Sequence, residues 1–179
     1  MIRAKPISGL AALLLLIACA AKASESYVMT IPGFPGDSTL KGFPGGIEIT
    51  SFSLGLSAAA APAHPGGGAV TGKATCDPVL VTKTVDRTSS ELLKPVFVGQ
   101  LLDNIVITGL LSGGGAAEPV SNFVVTLNFA QITSLAIDDG PSGQIEKLTI
   151  QPESIQVAFS PLLPNGKLGL PHGLAHRAK

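Results

Sequence analysis

Apolar side chains fall on every second position between residues 122 and 138. Phe123, Val125, Leu127 and Phe129 share one side, and Thr126, Asn128 and Ala130 take the other. A period of two marks a half-buried strand. Residues 145–161 show the same alternation, with Ile155, Val157 and Phe159 opposite Ser154, Gln156 and Ser160. The segment between them, Asp139-Gly140-Pro141-Ser142-Gly143, reads as a hairpin turn. The pattern therefore predicts a long antiparallel ribbon. The edges of such a ribbon are free to pair with other chains, so assembly is the first function it suggests, ahead of catalysis.

The rest of the chain is also mostly strand-like. Residues 27–31 form a first short strand, and 33–46, with Pro35 and Pro44, a loop. Residues 47–56 form a second strand. Its apolar phase slips from Ile47 and Ile49 to Phe52, Leu54 and Leu56, which predicts a β-bulge near Thr50 and Ser51. Residues 57–70 hold four consecutive alanines, two prolines and three glycines, a long loop of the kind that carries function or stays disordered. Residues 74–85 are a third strand with Val79, Val81 and Val85 on one face, placed near an edge or a bulge by Pro78. Thr88-Ser89-Ser90-Glu91 spells a capping box before Leu92 and Leu93 and predicts the one helix, which Pro95 should kink or end. Residues 105–111 are a fourth strand and 112–117 a glycine-rich turn. In the last strand Leu148 and Ile150 are out of phase with Ile155, and a bulge at Pro152 would restore the phase. Residues 162–179 lack periodicity and are expected to be a tail of low order. The fold class is mainly β: an antiparallel β-barrel or two packed sheets with one lateral α-helix.

Composition narrows the function. The 179 residues suffice for one domain with a sizeable core. Twelve basic and 12 acidic side chains balance, so nothing electrostatic draws the chain to nucleic acid. Charged residues make up only 13% of the chain, which fits a surface partly covered by partners, or a dilution by Gly, Ala and a leader. Arg3 and Lys5 precede an apolar run over residues 10–18, and Ala21-Lys22-Ala23 fits a small-x-small cleavage pattern. Residues 1–23 are therefore expected to be a cleavable secretory signal and residues 24–161 the folded domain, exported to the periplasm or the exterior. Leu16-Ile17-Ala18-Cys19 also resembles a lipoprotein cleavage box. Acylation at Cys19 is the alternative, and the only route to a membrane. If Cys19 leaves with the leader, Cys76 has no intrachain disulfide partner. It is then expected to be a small buried strand residue, with a reactive or intermolecular thiol as the sharper reading.

No constellation of residues assembles a catalytic site. Residues 67–74 nearly spell a phosphate-binding loop, but Ala74 stands where a Ser or Thr hydroxyl is needed, and a strand follows instead of a helix. His172 and His176 have the spacing of two ligands on one helix face, yet Gly173 interrupts it and the glutamate of a zincin is missing. Asp138 and Asp139 are adjacent in a turn and lack the separation of an acid/base pair. Glu91 is a cap, and Asp86 and Arg87 pair locally or meet a neighbouring protomer. No enzymatic activity, cofactor or metal is expected.

The sequence Thr84-Val85-Asp86-Arg87-Thr88-Ser89 leads from a strand into the helix, a later strand ends in Gly113-Gly114-Gly115, and the long ribbon follows. In this order, and in its Lys83-x-x-Asp86-Arg87-Thr88 helix start, the chain over residues 27–161 resembles the Hcp tube-protein family of bacterial type VI secretion. The resemblance implies a β-barrel protomer that closes six-membered rings, which stack into a hollow tube able to carry effectors. Its partners would be copies of itself, components of the secretion apparatus and effector cargo. The loop 57–70 resembles the family's extended loop, which makes Ser57, Ala60, Pro62, His64, Gly67 and Val70 candidate contacts between rings. Typical members lack a leader, so the chain looks like an exported relative. The alternative role is a stand-alone binding module for an envelope or extracellular partner.

Overall fold

The computed structural model describes residues 24–58, 74–112, 119–141, 143–163, 165 and 167–177. The expected leader 1–23, with Cys19, lies outside them, as does most of the loop 57–70. In chain order the strands are β1 (Ser24–Thr30), β2 (Ile47–Ser53), β3 (Leu56–Ala58), β4 (Ala74–Cys76) and β5 (Val79–Thr84). The helix α1 (Thr88–Val98) follows, then β6 (Leu101–Leu102), β7 (Ile105–Ser112), β8 (Val120–Asn128), β9 (Ala130–Gly140), β10 (Gly143–Gln151), β11 (Ser154–Phe159) and β12 (His172–Arg177). Among the described residues the fold is mainly β with one helix, as the alternation and the polar run at residues 88–91 predict.

Ten strands make a single antiparallel sheet in the order β12-β11-β8-β7-β1-β2-β5-β10-β9-β6, and β3 pairs with β4 in a separate ribbon. The hydrogen-bond ladder does not close on itself, so the molecule is not a closed barrel. The sheet is nevertheless rolled around one core that includes Met29, Ile47, Val81, Ile107, Leu127 and Ile150 from strands distant in the order. The cause lies in the long ribbon, which is not continuous. β8 pairs with β11 and β9 with β10, so its two halves join opposite ends of the sheet.

The break sits at Phe129. Its φ of 47° puts it in the left-handed region, costly for a side chain with a Cβ. Leu127 faces the core and so does Ala130, a step of three where strict alternation would place Phe129 inside; Phe129 is instead 49% exposed. On the opposite strand Pro152 has no N–H to offer a ladder, and the Glu153 amide bonds back to the carbonyls of Asn128 and Phe129. The phase change at Pro152 is therefore a corner between two strands rather than a bulge within one. The bulge predicted at Thr50 and Ser51 is present, with the register between β2 and β5 shifting between Ile49 and Ser51.

Three further expectations need correction. Residues 74–85 are two strands, because Asp77-Pro78 interrupts them. Residues 162–179 are not a tail of low order throughout, since β12 pairs with β11 from His172 to Arg177 and extends the sheet beyond residue 161. Pro95 neither ends nor breaks the helix, which continues to Val98. That ring is buried, and Gly99 in the left-handed conformation ends the helix with its own amide and that of Gln100 bonded to Val96 and Pro95 carbonyls.

The loop 33–46 folds tightly over β1. The Gly36 amide bonds to the Gly45 carbonyl at 2.8 Å, and Ser38 to Gly46 at 3.0 Å. A Cβ on Gly36 would lie 2.2 Å from the Gly46 carbonyl oxygen, a backbone atom with no freedom to swing away. The Gly36→Ala variant is therefore expected to lose ~1–3 kcal/mol of stability. The loss should read as a lower urea midpoint with an unchanged slope; an unchanged midpoint would show that the loop does not hold this packing in solution.

Candidate functional site

The strand β5 points Val79, Val81 and Lys83 toward the core, and β10 points Glu146, Leu148 and Ile150 there. Lys83 stands directly opposite Glu146 in the register. Two charges at inward positions of facing strands are thus placed by the same alternation that builds the core. Their side chains are fully buried, with Lys83 Nζ 2.8 Å from Glu146 Oε2. Lys83 Nζ also donates to Asp86 Oδ1 at 2.8 Å, to the Thr84 carbonyl at 2.9 Å and to Ser89 Oγ at 3.0 Å. Ser89 Oγ donates to Glu146 Oε2 and accepts the Asp86 amide. One ammonium group therefore ties β5, the first turn of α1 and β10 together.

The N-cap position is Arg87, which makes no side-chain cap bond, and Asp86 just before it bonds the first turn in place of the predicted box. Its Oδ1 accepts from the Thr88 amide and the Thr88 hydroxyl, while Thr88 and Ser89 lie inside the helix and are buried. Partial burial pushes the Asp86 carboxyl up, but hydrogen bonds from Lys83 and Thr88 and the Lys83 charge outweigh it and hold the group below its ordinary 3.8. Asp86 and Arg87 do not pair with each other. Arg87 Nε donates to the Pro35 carbonyl at 2.9 Å and lies 3.3 Å from Asp37 Oδ1, which pins the loop 33–46 to the start of the helix. The resemblance drew attention to Lys83 and Asp86. Glu146 was missed, and the available signal was a charge at an inward phase between Ile145 and Leu148.

Of the candidate contact residues, Ser57 alone is described. It lies in β3, where its Oγ meets Thr75 Oγ1 at 2.9 Å and Asp77 Oδ1 at 3.0 Å. The β3–β4 ribbon is thus a hydrogen-bonded stem for the segment between. Ala60, Pro62, His64, Gly67 and Val70 lie outside the described residues. Cys76 is a buried strand residue, as expected. Asp138 and Asp139 sit in β9 rather than in the turn, with Asp138 2.8 Å from Lys147. His172 and His176 sit on a strand, where a spacing of four separates them by about 13 Å and excludes a shared ion. Among the described residues no three His, Cys, Asp or Glu side chains converge. Near one rim of the rolled sheet, a cleft of about 270 Å³ is lined by Tyr27, Phe52 and Phe123. The Tyr27 and Phe52 rings meet edge to face at 5.2 Å, and Gly109 leaves room for Tyr27 and Phe123.

Several large exposed apolar side chains lie near the two sheet margins, and others, Leu56 and Leu80, lie away from them. Leu170 and Leu174 lie just before and within β12, Leu101 lies in β6, and Phe97 lies on the helix that packs against β9.

Comparison with known proteins bears on the same residues. The family model described as type VI secretion system effector, Hcp, matches residues 28–160. No curated protein sequence matches the chain. A solved type six secretion system protein superposes with a TM-score of 0.75 at 18% identity, over 86% of this chain and 96% of its own. Hcp1 from Salmonella typhimurium gives 0.69 at 14% identity, over 87% and 95%. The secreted protein Hcp3 from Pseudomonas aeruginosa gives 0.57 at 14%, over 88% and 99%.

Removing Lys83 would strand the Glu146 carboxylate in the core, where Glu146 Oε1 already has no hydrogen-bond partner. Lys83→Met should cost ~3–5 kcal/mol, and adding Glu146→Leu should recover most of it, since an apolar pair of similar volume replaces a buried ion pair at little cost. Equilibrium denaturation measures both; a single-variant loss below ~1 kcal/mol would mean that the pair is solvated like a surface bridge. Asp86 adds a pH dependence. Its folded pKa lies below the unfolded value, so its stabilisation is full above about pH 4 and is lost as pH falls through the depressed value. Asp86→Asn should flatten that acid limb of the stability profile.

Proposed function

The chain belongs to the Hcp family of type VI secretion, whose members are structural, tube-forming proteins, and on that premise we propose that it is an exported building block that closes homo-oligomeric rings, six copies to a ring. The rings stack into a tube wide enough to carry effectors. The function rests on surface complementarity, and no bond chemistry is required of it. The family match carries this reading: it runs from within β1 to the end of β11 and takes in every strand of the rolled sheet except β12, which forms one margin while β6 forms the other. Supporting it are the apolar side chains at those margins and the stem of the loop 57–70. In this reading the loop, with Ser57, Ala60, Pro62, His64, Gly67 and Val70, contacts the neighbouring ring. Residues 1–23 are removed before Ser24 and deliver the chain to the periplasm or the exterior.

Size-exclusion chromatography with light scattering on a chain beginning at Ser24 should give a mass six times that of one copy. A strictly monomeric mass at high concentration would sink the reading. Shortening the segment between β3 and β4 should leave the ring mass unchanged and abolish stacks seen by electron microscopy; stacks that persist would remove the loop from the inter-ring contact.

A further inference from the structure

Aromatic rings line one rung of the rolled sheet and leave a cleft between them. Tyr27 on β1 pairs with Gly109 on β7, Gly109 with Phe123 on β8, and Phe123 with Phe159 on β11. The rung therefore reads Tyr-Gly-Phe-Phe across four neighbouring strands. Tyr27 and Phe123 are half-buried and pack against the core. Phe52 from β2 reaches the same place, its ring edge to face with Tyr27 at 5.2 Å and stacked with Phe123 at 5.9 Å. Of the chain's seven Phe and one Tyr, these four line a single cleft of about 270 Å³.

Two features separate this cleft from a loosely packed piece of core. The first is Gly109. A Cβ there would lie 3.2 Å from both Phe123 Cβ and Tyr27 Cε1, so the missing side chain is what opens the rung. Glycine inside a strand weakens it and often marks a place where a ligand comes close. The space left equals about nine waters at ~30 Å³ each, the scale of a small ligand. The second feature is Glu25. It is in phase with Tyr27 and Met29 on β1, so the alternation that builds the core also puts a carboxylate on the core side, at the exposed end of the cleft. It is the only charged residue in the lining, and among the described residues it makes no ion pair. Its bond is from the Tyr27 hydroxyl at 3.1 Å, a neutral donor that leaves the charge uncompensated. Desolvation, then the bond to Glu25 and its charge, raise the Tyr27 hydroxyl above its ordinary 10.0, so the phenol stays protonated. The other inward carboxylate, Glu146, has Lys83 against it; Glu25 has a vacant cleft lined with rings.

We propose that the cleft binds a small organic cation, an alkylated or quaternary ammonium group. The rings take up its methyl groups and attract its charge through their π systems. Glu25 supplies the countercharge, and the gap at Gly109 admits the head of the ligand. Glu25 repels an anion, and a neutral molecule gains nothing from it. Every lining residue belongs to one copy, so the site does not depend on the association of copies.

The chain has one tyrosine and no tryptophan, so its intrinsic fluorescence reports on this cleft alone. Choline titrated into the full chain should change that emission saturably. Its uncharged analogue, with carbon in place of nitrogen, should bind about tenfold more weakly or worse. Glu25→Gln, at an exposed position, should keep the parent melting temperature, weaken choline by about tenfold and leave the analogue unchanged. Gly109→Ala narrows the cleft and should weaken both ligands. Equal affinity for choline and its analogue would overturn the proposal, as the cleft would then be a neutral apolar pocket. It is equally overturned by the absence of a saturable response, or by choline binding that Glu25→Gln leaves unchanged.

Discussion

The ribbon of β8–β9 against β10–β11 is the constraint on which the rest of the fold depends. Its strands are continuous in sequence, yet its halves belong to opposite ends of one ladder, with only Phe129 between β8 and β9. A flat sheet cannot meet that condition, because its ends would be many strand spacings apart, at about 4.8 Å each. Rolling brings them together, and the same motion wraps the apolar faces of β1, β2, β5 and β7 around a common interior. The left-handed backbone at Phe129 and the missing amide at Pro152 are the local irregularities that allow the turn. An irregularity of about 1–2 kcal/mol is small against the apolar area that rolling removes from water.

Inside this frame the buried Lys83–Glu146 pair does something that apolar residues could not. A leucine pair would fill the same space, but it would not distinguish one helix orientation from another. The Lys83 ammonium has its acceptors in the strand, in Asp86 just before the helix, in Ser89 of α1 and in Glu146 of the hairpin. All must be in place for the charge to be satisfied, and a charge left unsatisfied in the core is costly. The pair therefore ties the start of α1 to β5 and β10 through one buried charge. Arg87 extends the same junction outward to Pro35 and Asp37.

The helix and hairpin so positioned lie beside the β9 margin, and β12 lies at the other. A rolled sheet whose ladder stays open keeps two edges that a closed barrel would have eliminated. In most single-chain proteins such edges are short or guarded by charge. Here β9 runs nine residues beyond its β6 cover, from 132 to 140, with exposed Ile137, and β12 carries an exposed leucine at its centre. The open ladder leaves these two edges at the surface, and the common interior holds them in place.

Local pattern alone did not show the short strands β3 and β6, but it was enough to read the longer strands of the large sheet, the helix, the bulge near Thr50 and Ser51, and the burial of Cys76. These depend on periodicity, on proline and glycine, and on nearest neighbours in the chain, all of which a sequence displays. The resemblance in the Lys83-x-x-Asp86 helix start pointed to the right family without explaining those two residues. Their meaning appears only when β10 brings Glu146 across from Lys83, a pairing 63 positions apart that no local pattern encodes. The same holds for the corner at Phe129, read as continued alternation, and for β12, whose short His-Gly-Leu-Ala-His-Arg run becomes a strand because β11 offers it an edge. Sequence periodicity determined most of the inward positions, with Phe129 and Val85 as exceptions. Which strand lies beside which, and hence which edges stay open, was decided by the tertiary structure, because strand pairing is a contact between distant segments and its free energy is realised only when the sheet is assembled.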